Sequence, residues 1–389
     1  MLSLVLLAVA QTQTLDIQTM VRDVDPARLR ATVEKLSSFH TRNTTSPTLK
    51  ESVDWLADEY RKIPGLQVEV MPYAAEKSRR VPEEIQAYQV VAVLPGKTDR
   101  RILVGGHMDS LNLQEDAKTG RAPGANDDGS GTALALELAR VMAGRPWNQT
   151  LVFVAFSGEE QGLLGSKALA ERAKAEGWKL EAVFSTDIAG SSSNLNGQSD
   201  KEHVRVFSDD PDPAGENPQQ SRELARFIEW ATRGKIPGFG AHLVLRRDRF
   251  GRGGDHTSFS SLGFSAVRFT EVFEEFTRQH GPEDKIEYMD FEYLANVTRL
   301  NLVAMASLAQ AAEAPTRVRY NPRQSHDTTL TWTATPGTEY EVLWRDSAST
   351  TWEDSRRVGA VSTATIEKVN KDSHFFAVAA IGGLPVAAR

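Results

Sequence analysis

The chain has 389 residues, no cysteine, 40% hydrophobic and 25% charged residues, and a formal net charge of −7. Without cysteine there are no disulfides, thiolate nucleophiles or thiolate ligands, so only His, Asp and Glu remain to hold a metal. The composition is that of a globular protein longer than one average domain, and the lack of a basic surplus argues against a nucleic-acid partner.

Met1 to Ala10 is an apolar run too short to span a bilayer, with Ala8-Val-Ala10 placed like a cleavage site. It predicts a signal peptide over residues 1–10 and a secreted or periplasmic protein, although the usual basic n-region is missing. No other stretch approaches transmembrane length, so no integral membrane segment is expected beyond the signal.

Between Asp25 and Lys62 the apolar residues Leu29, Val33, Leu36 and then Val53, Leu56, Ala57 and Tyr60 recur at helical spacing. Two packed helices are predicted, separated by the polar loop that starts at Thr41. Leu66 to Met71 alternates as a half-buried strand. Tyr88 to Leu94 is a strand ending at Pro95-Gly96, and the turn there predicts a hairpin with the strand that starts at Arg101. The Arg101 strand breaks at Gly105-Gly106, so that His107 and Asp109 project from its C-terminal end.

After Asp127 comes an apolar helix ending by Gly144, then Thr150 to Ser157, a continuous apolar run suited to a central strand covered on both faces. A helix over Leu163 to Glu176 leads into a strand ending at Asp187. His203 to Phe207 reads as a strand, Gln219 to Thr232 as an amphipathic helix, Arg246 to Gly254 as a basic, glycine-rich loop, Ser265 to Phe269 as the last core strand and Phe291 to Ala312 as a closing helix. This alternation predicts an α/β catalytic domain over 25–312 with a mixed, mostly parallel sheet sandwiched by helices. Beyond Pro315 four short alternating runs predict a small all-β sandwich over 316–389, with Trp332 and Tyr340 in its core. That segment resembles a fibronectin type III module; surface or polymer contact, stabilisation and regulation are the roles open to it.

His107, Asp127, Glu160, Asp187 and His280 fall at strand ends or adjoining loops, which is where open α/β sheets place ligands. Five residues serve two metals only if one bridges, and Asp127, with two carboxylate oxygens in a glycine-rich turn, is the natural bridge. Two zinc ions would depress the pKa of a shared water and polarise a carbonyl under attack. Glu159 is the candidate general base, and Asp109, on the same side of the extended segment as His107, the candidate partner for that ring's second nitrogen.

The order and spacing of these residues resemble the secreted co-catalytic dizinc exopeptidases, the family of bacterial leucyl aminopeptidases and plasma glutamate carboxypeptidase, over about Leu29 to Gln310. The resemblance implies that His107 and Asp187 share one zinc and Glu160 and His280 the other, with Asp127 bridging. It also implies a cis peptide at Asp127-Asp128 and places Asp255-His256 beside the pocket. Gly281 stands where the family often has Thr. The activity it implies is that of an aminopeptidase acting on peptide substrates as a monomer. A carboxypeptidase or dipeptidase, favoured by the Arg246–Arg252 cluster, a glutaminyl cyclase-like acyl transferase and a non-catalytic receptor-like protein are the alternatives. No His-Glu-x-x-His, Gly-x-Ser-x-Gly, Walker loop or Gly-x-Gly-x-x-Gly is present.

Overall fold

The computed structural model describes residues 16–208, 220–246, 248, 253–323 and 325–389. The apolar run at 1–10 and Arg247, Arg249 and Arg252 of the basic loop lie outside them. No described helix is long and apolar enough to cross a membrane.

The fold opens with α1 (Ile17–Asp23), α2 (Pro26–Ser38) and α3 (Pro47–Arg61). The starts of α2 and α3 are written in the sequence. Asp25 and Ser46 accept the backbone N–H groups of Ala27 and Thr48, and a proline follows each cap, where its missing N–H costs nothing.

The central layer follows: β1 (Gln67–Ala75), β2 (Ile85–Leu94), β3 (Arg100–His107), α4 (Gly129–Met142), β4 (Thr150–Phe156), α5 (Leu164–Ala175), β5 (Lys179–Thr186), β6 (His203–Phe207), α6 (Gln220–Thr232), β7 (Gly240–Val244), α7 (Asp255–Ser260), β8 (Ala266–Thr270) and α8 (Phe291–Gln310). These strands form one eight-stranded sheet in the order β1-β2-β4-β3-β5-β8-β6-β7. β4, β3, β5 and β8 run parallel, whereas β1, β2 and β6 pair antiparallel with their neighbours β2, β4 and β8. The predicted hairpin between β2 and β3 does not form. β4 lies between them, because a strand buried at every position takes an inner place with partners on both sides.

Alternate residues of the central strands face opposite layers. Ile102, Val104, Phe153 and Ala155 join the core under α2, α3, α4 and α8, while Leu103, Val152, Val154 and Phe156 join the core under α5 and α7. The chain leaves β3 through α4 to β4, then returns past β3 through α5 to β5. Right-handed crossovers in opposite directions put α4 and α5 on opposite faces, creating a switch point at the C-terminal ends of β3, β4 and β5.

The C-terminal part is all β: β9 (Thr316–Tyr320), β10 (Thr328–Thr333), β11 (Tyr340–Asp346), β12 (Asp354–Gly359), β13 (Thr363–Ile366), β14 (His374–Ala380) and β15 (Val386–Ala387). A three-stranded antiparallel sheet, β13-β10-β9, and a four-stranded one, β12-β11-β14-β15, share a core of Leu330, Trp332, Tyr340, Val342, Phe376 and Val378. Leu343, Trp352, Ala377 and Ala379 on the other side of the larger sheet pack against Trp230 of α6. Arg226 of α6 and Arg233, the residue after that helix, add hydrogen bonds to the Thr350 and Trp352 carbonyls at 2.9 and 2.8 Å.

Candidate metal centre

The switch point gathers the five proposed ligands. His107 ends β3, Glu159 and Glu160 follow β4, Asp187 follows β5, Asp127 precedes α4, and His280 stands in the loop after β8. Close approach of α4 to β3 depends on Gly106, where a Cβ would lie 2.5 Å from the Gly131 carbonyl carbon and 2.6 Å from Asp128 Oδ2. Only glycine fits there. The Asp127-Asp128 peptide is cis.

Asp127 stands between the two histidines. Its Oδ1 is 3.1 Å from His107 Nε2, and its Oδ2 is 3.1 Å from His280 Nε2. Asp187 Oδ1 lies 3.7 Å from His107 Nε2, and Glu160 Oε1 lies 3.3 Å from His280 Nε2. Donor atoms about 2.1 Å from a tetrahedral zinc sit about 3.4 Å from one another. The observed separations scatter around that value. His107, Asp127 and Glu160 alone offer three donor atoms within 4.8 Å of one another. Glu160 Oε1 is buried with no hydrogen-bond partner, which is costly unless a cation meets it. The residues therefore fit zinc.

Electrostatics follow from burial and crowding. Burial opposes ionisation of Asp127, yet the flanking His107 and His280 rings hold its carboxyl well below the usual range. Burial likewise opposes charge on Asp187, and the Arg268 guanidinium, 3.1 Å from its Oδ2, brings it below the ordinary value. Glu159, half-buried in the pocket wall, is pushed well above the usual range by burial, reinforced by Glu160 and Asp187 against the opposing His107.

Asp109 meets the second nitrogen of the His107 ring with two of its oxygens. The nearest acceptor to His107 Nδ1 is the Asp109 backbone carbonyl at 3.2 Å, with carboxylate Oδ1 at 3.6 Å. The carboxylate also accepts the backbone N–H groups of Glu159 and Glu160 at 3.3 and 3.2 Å, fixing the turn that carries both acids. Asp128 is both the N-cap of α4, accepting from Gly131 N, and the acceptor for the His107 N–H at 2.9 Å.

Three supports escape sequence patterning. Asp284 accepts the N–H groups of Asn126 and Asp127 at 2.9 and 2.8 Å, and burial pushes its carboxyl up to about 7. Arg268 in β8 is buried and holds Asp187. Arg42, in the loop between α2 and α3, is fully buried and donates to four backbone carbonyls, Leu36, Met108, Pro123 and Gly124, so it ties the segment after His107 to the turn before Asp127. The Gln-His-Gly-Pro-Glu-Asp run around His280 carries Asp284 in view, but nothing in the sequence marks its role. Asp255 and His256 open α7 beside the pocket, both buried. Burial pushes Asp255 up to about 7.

Residues 89–305 match the sequence profile of Peptidase family M28. A probable zinc metalloprotease of Leptosphaeria maculans is 35% identical over 406 residues, covering 94% of each chain. The chain belongs to Peptidase family M28. It is a zinc-dependent peptidase. The LapA aminopeptidase of Legionella pneumophila superposes with a TM-score of 0.60 at 22% identity, covering 76% of this chain and 75% of that one. A glutaminyl cyclase of Fimbriiglobus ruber superposes with a TM-score of 0.56 at 20% identity, covering 72% and 94%. At such identities the likeness is one of fold, and one fold carries both chemistries.

Proposed function

We propose that this M28 peptidase is a dizinc exopeptidase, an aminopeptidase secreted through its Met1–Ala10 signal and acting on peptides as a monomer. The observation that carries the reading is Asp127, whose two oxygens each face a different histidine at zinc-ligand spacing. His107 and Asp187 would hold one ion, Glu160 and His280 the other, with Asp127 shared. Bound zinc supplies an acidified water and a Lewis acid for the scissile carbonyl.

Glu159 takes the proton from the attacking water and hands it to the leaving amine. Asp109 orients Glu159 by fixing its backbone N–H, and Arg268 keeps Asp187 ionised and aimed at His107. The cavity of about 460 Å³ has the size of a site for a short terminal segment. The aminopeptidase activity named for LapA, on the same fold, supports amino-terminal cleavage over the alternatives.

Glu159→Gln tests the assignment. It is expected to retain zinc and the wild-type fold while losing at least about 10²-fold in kcat on free-amino peptides. Near-wild-type turnover by this variant, or equal wild-type cleavage of N-acetylated and free peptides, would overturn the general base and the aminopeptidase reading respectively.

A further inference from the structure

The pocket wall holds a cation that the reaction does not use. Arg80, in the segment between β1 and β2, lines the same cavity as His107, Asp127 and Glu159. One of its Nη1 hydrogens goes to the Glu160 backbone carbonyl. Among the described residues no carboxylate pairs with it, and its remaining N–H groups are open. Arg268, the other arginine of the cavity among the described residues, is committed to Asp187, Asp248 and the Gly253 carbonyl. Arg80 is exposed, whereas Arg268 is buried.

Position gives Arg80 its meaning. Its anchor is the carbonyl of Glu160, one residue from Glu159, which on the exopeptidase reading delivers a proton to the leaving amine. Arg80, Glu159 and Glu160 line one cavity, so the guanidinium sits on the side of it from which, on that reading, Glu159 serves the leaving group. A guanidinium with open N–H groups in a planar fork is built to take a carboxylate through two parallel hydrogen bonds.

We propose that Arg80 is a specificity residue that binds a carboxylate on the leaving-group side of the substrate. This rests on the exopeptidase reading and adds a substrate class to it. The carboxylate has two sources, the free C-terminus of a dipeptide or an acidic side chain on the second residue of a longer peptide.

The full-length zinc-loaded protein is assayed on three substrates: Leu-Leu, Leu-Leu-amide and Leu-Glu-amide. Wild type is expected to favour at least one carboxylate substrate over the neutral amide by about tenfold to a hundredfold in kcat/KM, mainly through KM. Preference for Leu-Leu identifies the C-terminus as the source, and preference for Leu-Glu-amide the side chain. Arg80→Gln should erase that preference, Arg80→Lys should restore part of it, and rising salt should shrink it in wild type because an exposed cation is screened. A role confined to holding the Glu160 carbonyl predicts an equal loss on all three substrates. That result, or a wild type indifferent to the carboxylate, overturns the proposal. Hydrolysis of Leu-Leu-amide by wild type keeps the exopeptidase reading standing in either case; failure to cleave any of the three sinks that reading first.

Discussion

Replacing Arg42 by Met removes the side chain that ties together the two metal-bearing loops. Four buried carbonyls lose a hydrogen bond: Nε–H to Met108 at 2.6 Å, Nη1–H to Leu36 and Pro123 at 2.9 and 2.5 Å, and Nη2–H to Gly124 at 2.8 Å. Leu36 and Gly124 keep the backbone N–H groups of Phe39 and Gly129, whereas Met108 and Pro123 are left without a donor. A buried acceptor left unpaired costs about 1–3 kcal/mol and a hydrogen bond lost from a carbonyl that keeps another donor about 0.5–1.5 kcal/mol, so two of each cost about 3–9 kcal/mol before relaxation. Against this, burial holds the guanidinium down to about 10 from 12.5, and at about 1.4 kcal/mol per pKa unit the neutral side chain regains about 3 kcal/mol. With partial rehydration of the carbonyls the net loss should be about 3 kcal/mol. Urea unfolding of the zinc-loaded protein measures it, with zinc retained after dialysis as the second readout. Both should fall. Arg42→Lys should recover little, because one ammonium cannot span four carbonyls. A loss under about 1 kcal/mol with wild-type zinc retention would refute this account of Arg42.

Two further outcomes concern buried acids away from the ligands. Glu271 accepts from Asn126 Nδ2 and, at 2.7 Å, from Ser191 N, and burial raises its carboxyl well above the ordinary 4.5. A raised folded-state pKa means the folded state holds the proton that the unfolded chain has lost. Stability from this group therefore falls as pH rises from about 4.5 toward its folded value. Glu271→Gln mimics the protonated acid and should gain on wild type as pH rises through that window; urea midpoints that move in parallel at pH 5 and pH 8 would contradict it. Glu137, fully buried in α4, is paired with Arg28 at 2.6 Å and has Arg140 at 3.7 Å. Arg28→Met should cost about 2 kcal/mol, less than for a fully buried pair because Arg28 is partly exposed and Arg140 remains; an unchanged unfolding midpoint would show the pair to be idle.

The parts of the molecule that the sequence made legible are those where pattern and chemistry coincide. β4 shows itself as a continuous apolar run because both of its faces are covered, and α2 and α3 announce their starts through Asp25-Pro26 and Ser46-Pro47. The five candidate ligands could be read because parallel strands deliver their C-terminal ends to one edge. β7, β9, β12 and β15 escaped apolar patterning for a common reason: each is an edge strand. β12, Asp354–Gly359, has no buried residue, so its side chains carry no alternation, and its strand character comes from the backbone ladder to β11. The β2–β3 turn at Pro95-Gly96 looked like a hairpin because turn chemistry is local, whereas the insertion of β4 is decided by burial of a strand more than fifty residues away. Arg42 is hidden for a related reason. In the sequence it is one polar residue in a polar loop, and only tertiary packing surrounds it with carbonyls.

The central claim is that Asp127 serves two zinc ions at once. The direct measurement is titration of metal-free full-length protein with zinc, following peptide hydrolysis and bound metal by elemental analysis in the same samples. Activity should reach its plateau only as occupancy approaches two ions per chain, and Asp127→Asn should fail to hold the pair. Full activity at one ion per chain, or an Asp127→Asn variant that binds two and turns over normally, would contradict it.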